Sequence, residues 1–367
     1  MIKIAHIMCK HAYRYPLRLF LLVLLPHQAT AETITIGKGS GIVWEGMPFN
    51  VTLNGPLDHS ESVTIYGLLS ISNAEMVCMG NYSLKTIGGY NAYPLTSGVG
   101  LIPRAIGTVS YYTKNMVPIT FSATLGLPET RGLGENSHLI SSKNKAWCIP
   151  ASMSFEPELY SPTAPRTANI SGSWVVVTDG TQKTAEITLR PMYAGSYSRV
   201  VSGDRFATIL PTNISLRISN LECTVNTPTH INFGSVAHDP TPDTELGALS
   251  YPLTIQCSQD SDRINANINL QFRALSGLYQ NSPTKLSLME GGGYITGEID
   301  KGVTGSGSCA AASGVSFDNQ TIRIGHITST QLNLTLTNQV TWRLCSAGPN
   351  LPLGNVDAAA EMLVTFN

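Results

Sequence analysis

Residues 354–367 read Gly354-Asn-Val-Asp-Ala-Ala-Ala-Glu-Met-Leu-Val-Thr-Phe-Asn367. Within them Ala360, Met362, Val364 and Phe366 alternate with Glu361, Leu363 and Thr365. A period of two places the first set on one face of an extended strand. A strand at the end of a chain has little sequence left to cover its far edge. An apolar edge left uncovered is an aggregation hazard unless another chain pairs with it. The stretch is therefore expected to receive a strand from elsewhere.

The pattern resembles the C-terminus of subunits assembled by the chaperone–usher pathway of Gram-negative bacteria. That family carries a glycine fourteen residues from the end, a penultimate aromatic, and apolar residues at alternate places between. Gly354, Met362, Val364 and Phe366 match, and Ala360 is a small member of the stripe. The resemblance implies that a periplasmic chaperone adds a strand beside the last one. The N-terminal extension of the next subunit later replaces it, a form of β-augmentation. Gly354, Ala360, Met362, Val364 and Phe366 are the groove residues so implied.

The beginning of the sequence reads as an export leader. Residues 1–18 hold Lys3, Lys10, Arg14 and Arg18 with no acid, and the apolar run Leu19–Leu25 follows. Ala29-Thr30-Ala31 offers small residues for cleavage before Glu32. The run is too short to span a membrane, and the long basic region makes Met8 an alternative start. Removing residues 1–31 leaves 19 basic against 24 acidic residues, a net charge near −5. That excludes a basic nucleic-acid footprint. Only 13% of the chain is charged, which suits an exported β-protein better than a cytosolic enzyme. The remaining 336 residues are enough for two domains.

Cysteine usage agrees with export. Cys9 leaves with the leader, and Cys78, Cys148, Cys223, Cys257, Cys309 and Cys345 remain. None has zinc-ligand spacing, and an even number in an exported chain reads as disulfides. Six cysteines allow fifteen connectivities. Their distribution suggests sequential pairing: Cys78–Cys148 in a first domain, Cys223–Cys257 and Cys309–Cys345 in a second.

Few segments have helical periodicity. Val43–Leu53, Ser62–Ile71, Pro118–Leu125, Trp174–Thr178 and Thr184–Leu189 read as strands. Asn54-Gly55-Pro56, Gly88-Gly89 and Ser202-Gly203-Asp204 read as turns, and Thr178-Asp179-Gly180-Thr181 as a hairpin. Residues 156–168, with three prolines, read as a loop. The fold class is all-β, two sandwiches of immunoglobulin-like or jelly-roll type. We place the domains at 32–215 and 216–367.

From Cys223 the resemblance widens to a whole pilin domain. Cys223-Thr-Val225, Ile231-Asn-Phe-Gly-Ser-Val236 and Pro252-Leu-Thr-Ile-Gln-Cys257 look like that family's opening. The resemblance implies an incomplete sandwich lacking its last strand, against the usual seven. About 190 residues separate Glu32 from Cys223, a layout similar to two-domain tip adhesins. Such proteins carry an N-terminal lectin-like receptor-binding domain and sit at the tip of a cell-surface fimbrium. The partners implied are the periplasmic chaperone, the outer-membrane usher, the next subunit, and a host glycan or glycoprotein. Thr33-Ile34-Thr35-Ile36 is expected to be the first strand of the adhesin domain. Were it donated to a neighbour, the chain would instead be a minor pilin or adaptor with no receptor binding of its own.

No enzyme constellation, cofactor motif or metal-ligand spacing emerges. Glu156 and Glu158 flank Pro157 in the proline-rich stretch and read as solvated charges, and His59 and His138 as surface residues. Sugars are recognised by flat apolar faces together with polar groups. Trp147, Trp174, Tyr90 and Tyr93 are the candidate aromatic platforms, each of which reads equally as a core or rim residue, with Tyr90 and Tyr93 expected in a glycine-rich loop. Arg131, Glu135 and Asn136 are candidates for a binding loop.

Overall fold

The computed structural model describes residues 32–56, 67–75, 77–113, 115–133, 139–140, 144–150, 163–196 and 203–367. The leader, His59, Glu135, Asn136, His138, Glu156 and Glu158 lie outside the described residues.

The first half opens with β1 (Glu32–Ile36), β2 (Ser40–Pro56), β3 (Gly67–Ser72), β4 (Lys85–Ile87) and β5 (Tyr90–Thr96). It continues through β6 (Val99–Tyr112), β7 (Pro118–Gly126), β8 (Arg131–Leu133), β9 (Leu139–Ile140) and β10 (Cys148–Pro150). β11 (Pro165–Asp179), β12 (Ala185–Thr188), β13 (Met192–Gly195), β14 (Phe206–Leu210) and β15 (Ile214–Ile218) complete it. The second half holds β16 (Glu222–Asn226), β17 (Glu245–Ser258), β18 (Ala266–Ala274) and β19 (Leu286–Ser287). β20 (Gly293–Ile299), β21 (Ile322–Ile327), β22 (Asn333–Ser346) and β23 (Ala360–Phe366) follow.

Long strands form where apolar and small polar residues alternate. In β6 Ala105, Val109 and Tyr111 are buried while Ile106, Thr108 and Ser110 are exposed. An eight-stranded sheet runs β2-β11-β6-β7-β8-β9, with β4 and β5 joined to it through β6. The sheet β10-β3-β13-β14 packs over it. Trp174, Leu69, Ile71 and Ile102 are fully enclosed in the resulting core.

The second half is a sandwich of β16-β17-β22-β20-β19 against β23-β18-β21. The first four match strands A, B, E and D of an immunoglobulin sandwich, and β18 and β23 match C and F. The place of strand G is the far edge of β23. There β1 enters: it pairs in parallel with β15 over five residues, and with β23 antiparallel at Thr35–Phe366 alone. One six-stranded sheet, β12-β15-β1-β23-β18-β21, thus crosses both halves.

Two hydrophobic cores divide between Ile218 and Leu221. Ile214, Leu216 and Ile218 pack with the first core and Leu221 with the second. The junction is pinned by Ser219 N–H to the Ile36 carbonyl and Lys38 N–H to the Leu221 carbonyl, both 2.9 Å. The described residues from Glu32 onward form one compact unit.

Three local expectations change. Pro165–Ala168, read as loop, begins β11, because proline is tolerated as the first residue of a strand. Asp179-Gly180 does not close a hairpin: β11 pairs with β2 and β6, whereas β12 pairs with β15 in another sheet. Asp179 Oδ1 accepts from Thr181 N–H and Oγ1, an Asx turn that redirects the chain. Tyr90 and Tyr93 lie on β5 rather than in a loop, since Gly88 and Gly89, at φ 56° and 87°, make a tight turn between β4 and β5.

The disulfides are Cys78–Cys148, Cys223–Cys257 and Cys309–Cys345. Cys223 and Cys257 stand directly opposite one another on β16 and β17.

Candidate assembly edge and receptor surface

Asn267 and Asn367 exchange both backbone hydrogen bonds, at 2.8 and 3.4 Å. In an antiparallel ladder such pairs recur every second residue. By the β18–β23 register, Thr365, Leu363 and Glu361 also bond toward β18. Ala360, Met362, Val364 and Phe366 therefore turn their N–H and C=O groups toward the other edge. β1 meets that edge at Phe366; among the described residues no strand pairs with Ala360, Met362 or Val364 on that side. Phe366 is buried in the second core, while Met362 and Val364 touch it and stay half exposed. Ala360 is exposed. Gly354 precedes the strand at φ 108°, a conformation that a side chain would strain.

The second core is open. Among the described residues, its 16 buried hydrophobic residues are joined by 15 only partly buried ones, against 37 and 13 in the first core. A complete sandwich would enclose more of that second group.

The opposite face of β23 meets the first half through charges. Glu361 Oε2 accepts from Arg273 Nη2 at 2.7 Å and Arg104 Nη1 at 3.4 Å. Arg104 Nη1 also binds Glu45 Oε2 at 2.8 Å, and Ser173 Oγ donates to Glu45 Oε1 at 2.7 Å. The Glu45 side chain is only 5% exposed, so Arg104 and Ser173 must satisfy a nearly buried carboxylate. Burial raises the pKa of Glu361, but Arg273 and then Arg104 outweigh it and hold it below the ordinary value. A cavity of about 830 Å³ lies against this cluster, lined among others by Trp44, Glu45, Gln271 and Phe366.

The tryptophans proposed as sugar platforms are core residues. Trp174 is 0% exposed, and its Nε1 donates to the Ile209 carbonyl at 3.2 Å. Trp147 is 3% exposed, and its carbonyl accepts Ile71 N–H at 2.9 Å. That anchoring holds it at φ 48°, uncommon for a bulky residue. Neither ring offers a face to a ligand. Large apolar surface dominates core energetics, and indole burial won at both positions. Tyr90 and Tyr93 are half buried against the first core, with Tyr93 Oη 3.5 Å from Asn73 Nδ2. Arg131 is on β8, paired with Glu129 Oε1 at 3.0 Å.

Tyr82 is 93% exposed on the short 3-10 turn Asn81–Ser83 near Cys78 and carries no role in either surface. The charge cluster left no local signal, since its four members are separated by tens to hundreds of residues. Among the described residues no group of His, Cys, Asp and Glu could hold a metal, and no helix is long and apolar enough to cross a membrane.

Solved structures align with the chain over nearly its whole length. One is a chaperone–tip adhesin complex of CFA/I fimbriae biogenesis, 11% identical, covering 92% of this chain and 95% of that one at TM-score 0.24. Another is the CsuC–CsuE chaperone–tip adhesion subunit pre-assembly complex from archaic chaperone-usher Csu pili of Acinetobacter baumannii. It is 10% identical and covers 91% of this chain and 97% of that one, at TM-score 0.23. The CupB6 tip adhesin from Pseudomonas aeruginosa is 13% identical and covers 89% and 88%, at TM-score 0.24. Comparison with protein-family models finds no match, and comparison with curated proteins finds none.

Proposed function

We propose that this chain is a fimbrial tip adhesin. Its second half joins the fimbrial shaft by accepting a strand along β23, first from a periplasmic chaperone at the outer-membrane usher and then from the next subunit. Its first half, about residues 32–215, binds a host surface glycan or glycoprotein. The observation that carries the reading is the edge of β23. Ala360, Met362 and Val364 aim backbone groups at a side where no described strand pairs with them, above a half-covered core. An added strand would satisfy those groups and cover Met362 and Val364, with alternate side chains setting specificity.

Thr33–Ile36 pairs within its own sheet, which supports a place at the end of the fibre rather than the adaptor reading. The test is co-expression of the full chain with its cognate chaperone in the periplasm, followed by glycan-array and host-cell binding by the recovered complex. Co-purification and saturable binding are expected. A stable chain that never engages a chaperone would overturn the assembly reading; a captured chain that binds neither glycans nor cells would favour the adaptor.

A further inference from the structure

The outer face of the large sheet forms a regular polar grid. The registers of β2, β11, β6 and β7 align Asn54, Thr167, Ser110 and Thr120 in one cross-strand row. The next row is Thr52, Asn169, Thr108 and Ser122, and the third is Asn50, Ser171, Ile106 and Thr124. Eleven of these twelve positions carry a small uncharged hydroxyl or amide side chain, and none carries a charge. The exception, Ile106, is 64% exposed. Hydrogen bonds tie neighbours across the strands: Thr52 to Asn169 at 2.7 Å, Thr167 to Asn54 at 3.0 Å and Ser110 with Thr120 at 3.1 Å.

We propose that this face binds a neutral glycan, with Ile106 as its apolar contact. Hydroxyls and amides both donate and accept, which matches a ligand whose own hydroxyls do the same. Rows stand roughly 6.8 Å apart and columns about 4.8 Å apart, on the scale of one sugar ring. The polar groups are mounted on paired strands, so little conformational freedom is lost on binding. A shallow depression of about 500 Å³ lies over Ile106, Thr108, Ser122, Thr124 and Arg131. Charge selects the ligand class: the grid is uncharged, and the cation at its rim, Arg131, is already paired with Glu129. Among the described residues of this face, an acidic glycan would find no uncompensated positive charge.

The inference rests on the adhesin reading. The test applies the full chain, recovered with its chaperone, to immobilised neutral and sialylated oligosaccharides at low and high salt. Thr108→Val combined with Ser122→Ala removes two hydroxyls while keeping shape, and Ile106→Glu places a charge on the apolar contact. Binding to neutral sugars that survives high salt is expected, with roughly tenfold weaker affinity in the double variant. Ile106→Glu should abolish it, and Tyr82→Ala, off this face, should leave it intact, with unchanged thermal melts throughout. Neutral-glycan binding unaffected in both grid variants would overturn this site and leave the adhesin reading standing. Salt-sensitive binding to sialylated sugars alone, or binding to cells but to no glycan, would overturn the ligand class. Binding to neither cells nor glycans would overturn the adhesin reading itself.

Discussion

Phe366 stands opposite Thr35, so β1 blocks the last position of the edge that β23 otherwise leaves open. Five parallel pairs with β15 hold β1 in place. A strand entering beside β23 can therefore pair at Ala360, Met362 and Val364, and it must turn away before Phe366. The acceptor edge is short, and its side-chain contacts with the core weigh correspondingly more.

Those contacts give the first prediction. Val364→Asp would bury an unpaired carboxylate under the added strand, and Phe366→Asp would place one in the second core beside it, each a penalty of at least several kcal/mol. Chaperone co-purification and periplasmic accumulation should both disappear, as read by affinity capture and immunoblot. Normal accumulation of either variant with the chaperone would show that this edge is not the acceptor.

The charge cluster predicts an acid dependence. Glu361 has its pKa lowered from 4.5 in the folded chain. A carboxylate of this kind stabilises the fold above its unfolded pKa and loses that contribution as pH falls through the lower folded value. The melting-temperature gap between wild type and Glu361→Gln should therefore be present at neutral pH and close below about pH 4. A gap that does not change with pH would mean that Glu361 is not stabilised by Arg273 and Arg104.

Trp174 and Tyr82 should behave oppositely. Trp174→Ala empties a fully enclosed site and should cost about 3–5 kcal/mol, seen as a large drop in chemical-denaturation midpoint. Tyr82→Ala removes an exposed ring and should change stability by no more than about 0.5 kcal/mol. Comparable losses in the two variants would contradict the burial described here.

The Cys223–Cys257 bridge closes a loop with sequence separation 34. Replacing both cysteines by serine should destabilise the chain by roughly 4 kcal/mol on the loop-entropy account, measured by denaturant titration in the chaperone-bound state. A loss below about 1 kcal/mol would show that the β16–β17 ladder already restrains the unfolded chain.

Much of the second half was legible because its information is local. Alternation at 360–366 predicted both the strand and its core-facing set, and Met362, Val364 and Phe366 do contact the second core. Pairing of neighbouring cysteines followed from their distribution. For Trp147 and Trp174 core and ligand face both stayed open in the sequence, because an aromatic beside a cysteine or after a glycine-containing turn reads alike whether it faces the core or solvent, and the structure gives the core. The Asp179-Gly180 turn was visible in the sequence, but the sheet that β12 would join was not.

By itself, then, the sequence determined an all-β chain, its disulfide spacing, and a terminal strand with one apolar face. Each of these depends on residues within one strand or on the order of a few cysteines. Tertiary structure alone decided that β1 ends against Phe366, that Glu45 and Arg104 meet Arg273 and Glu361, and that twelve positions on four strands form one grid. Those outcomes depend on which strands become neighbours and in what register. A period of two says which face is buried, but it does not say which strand lies alongside.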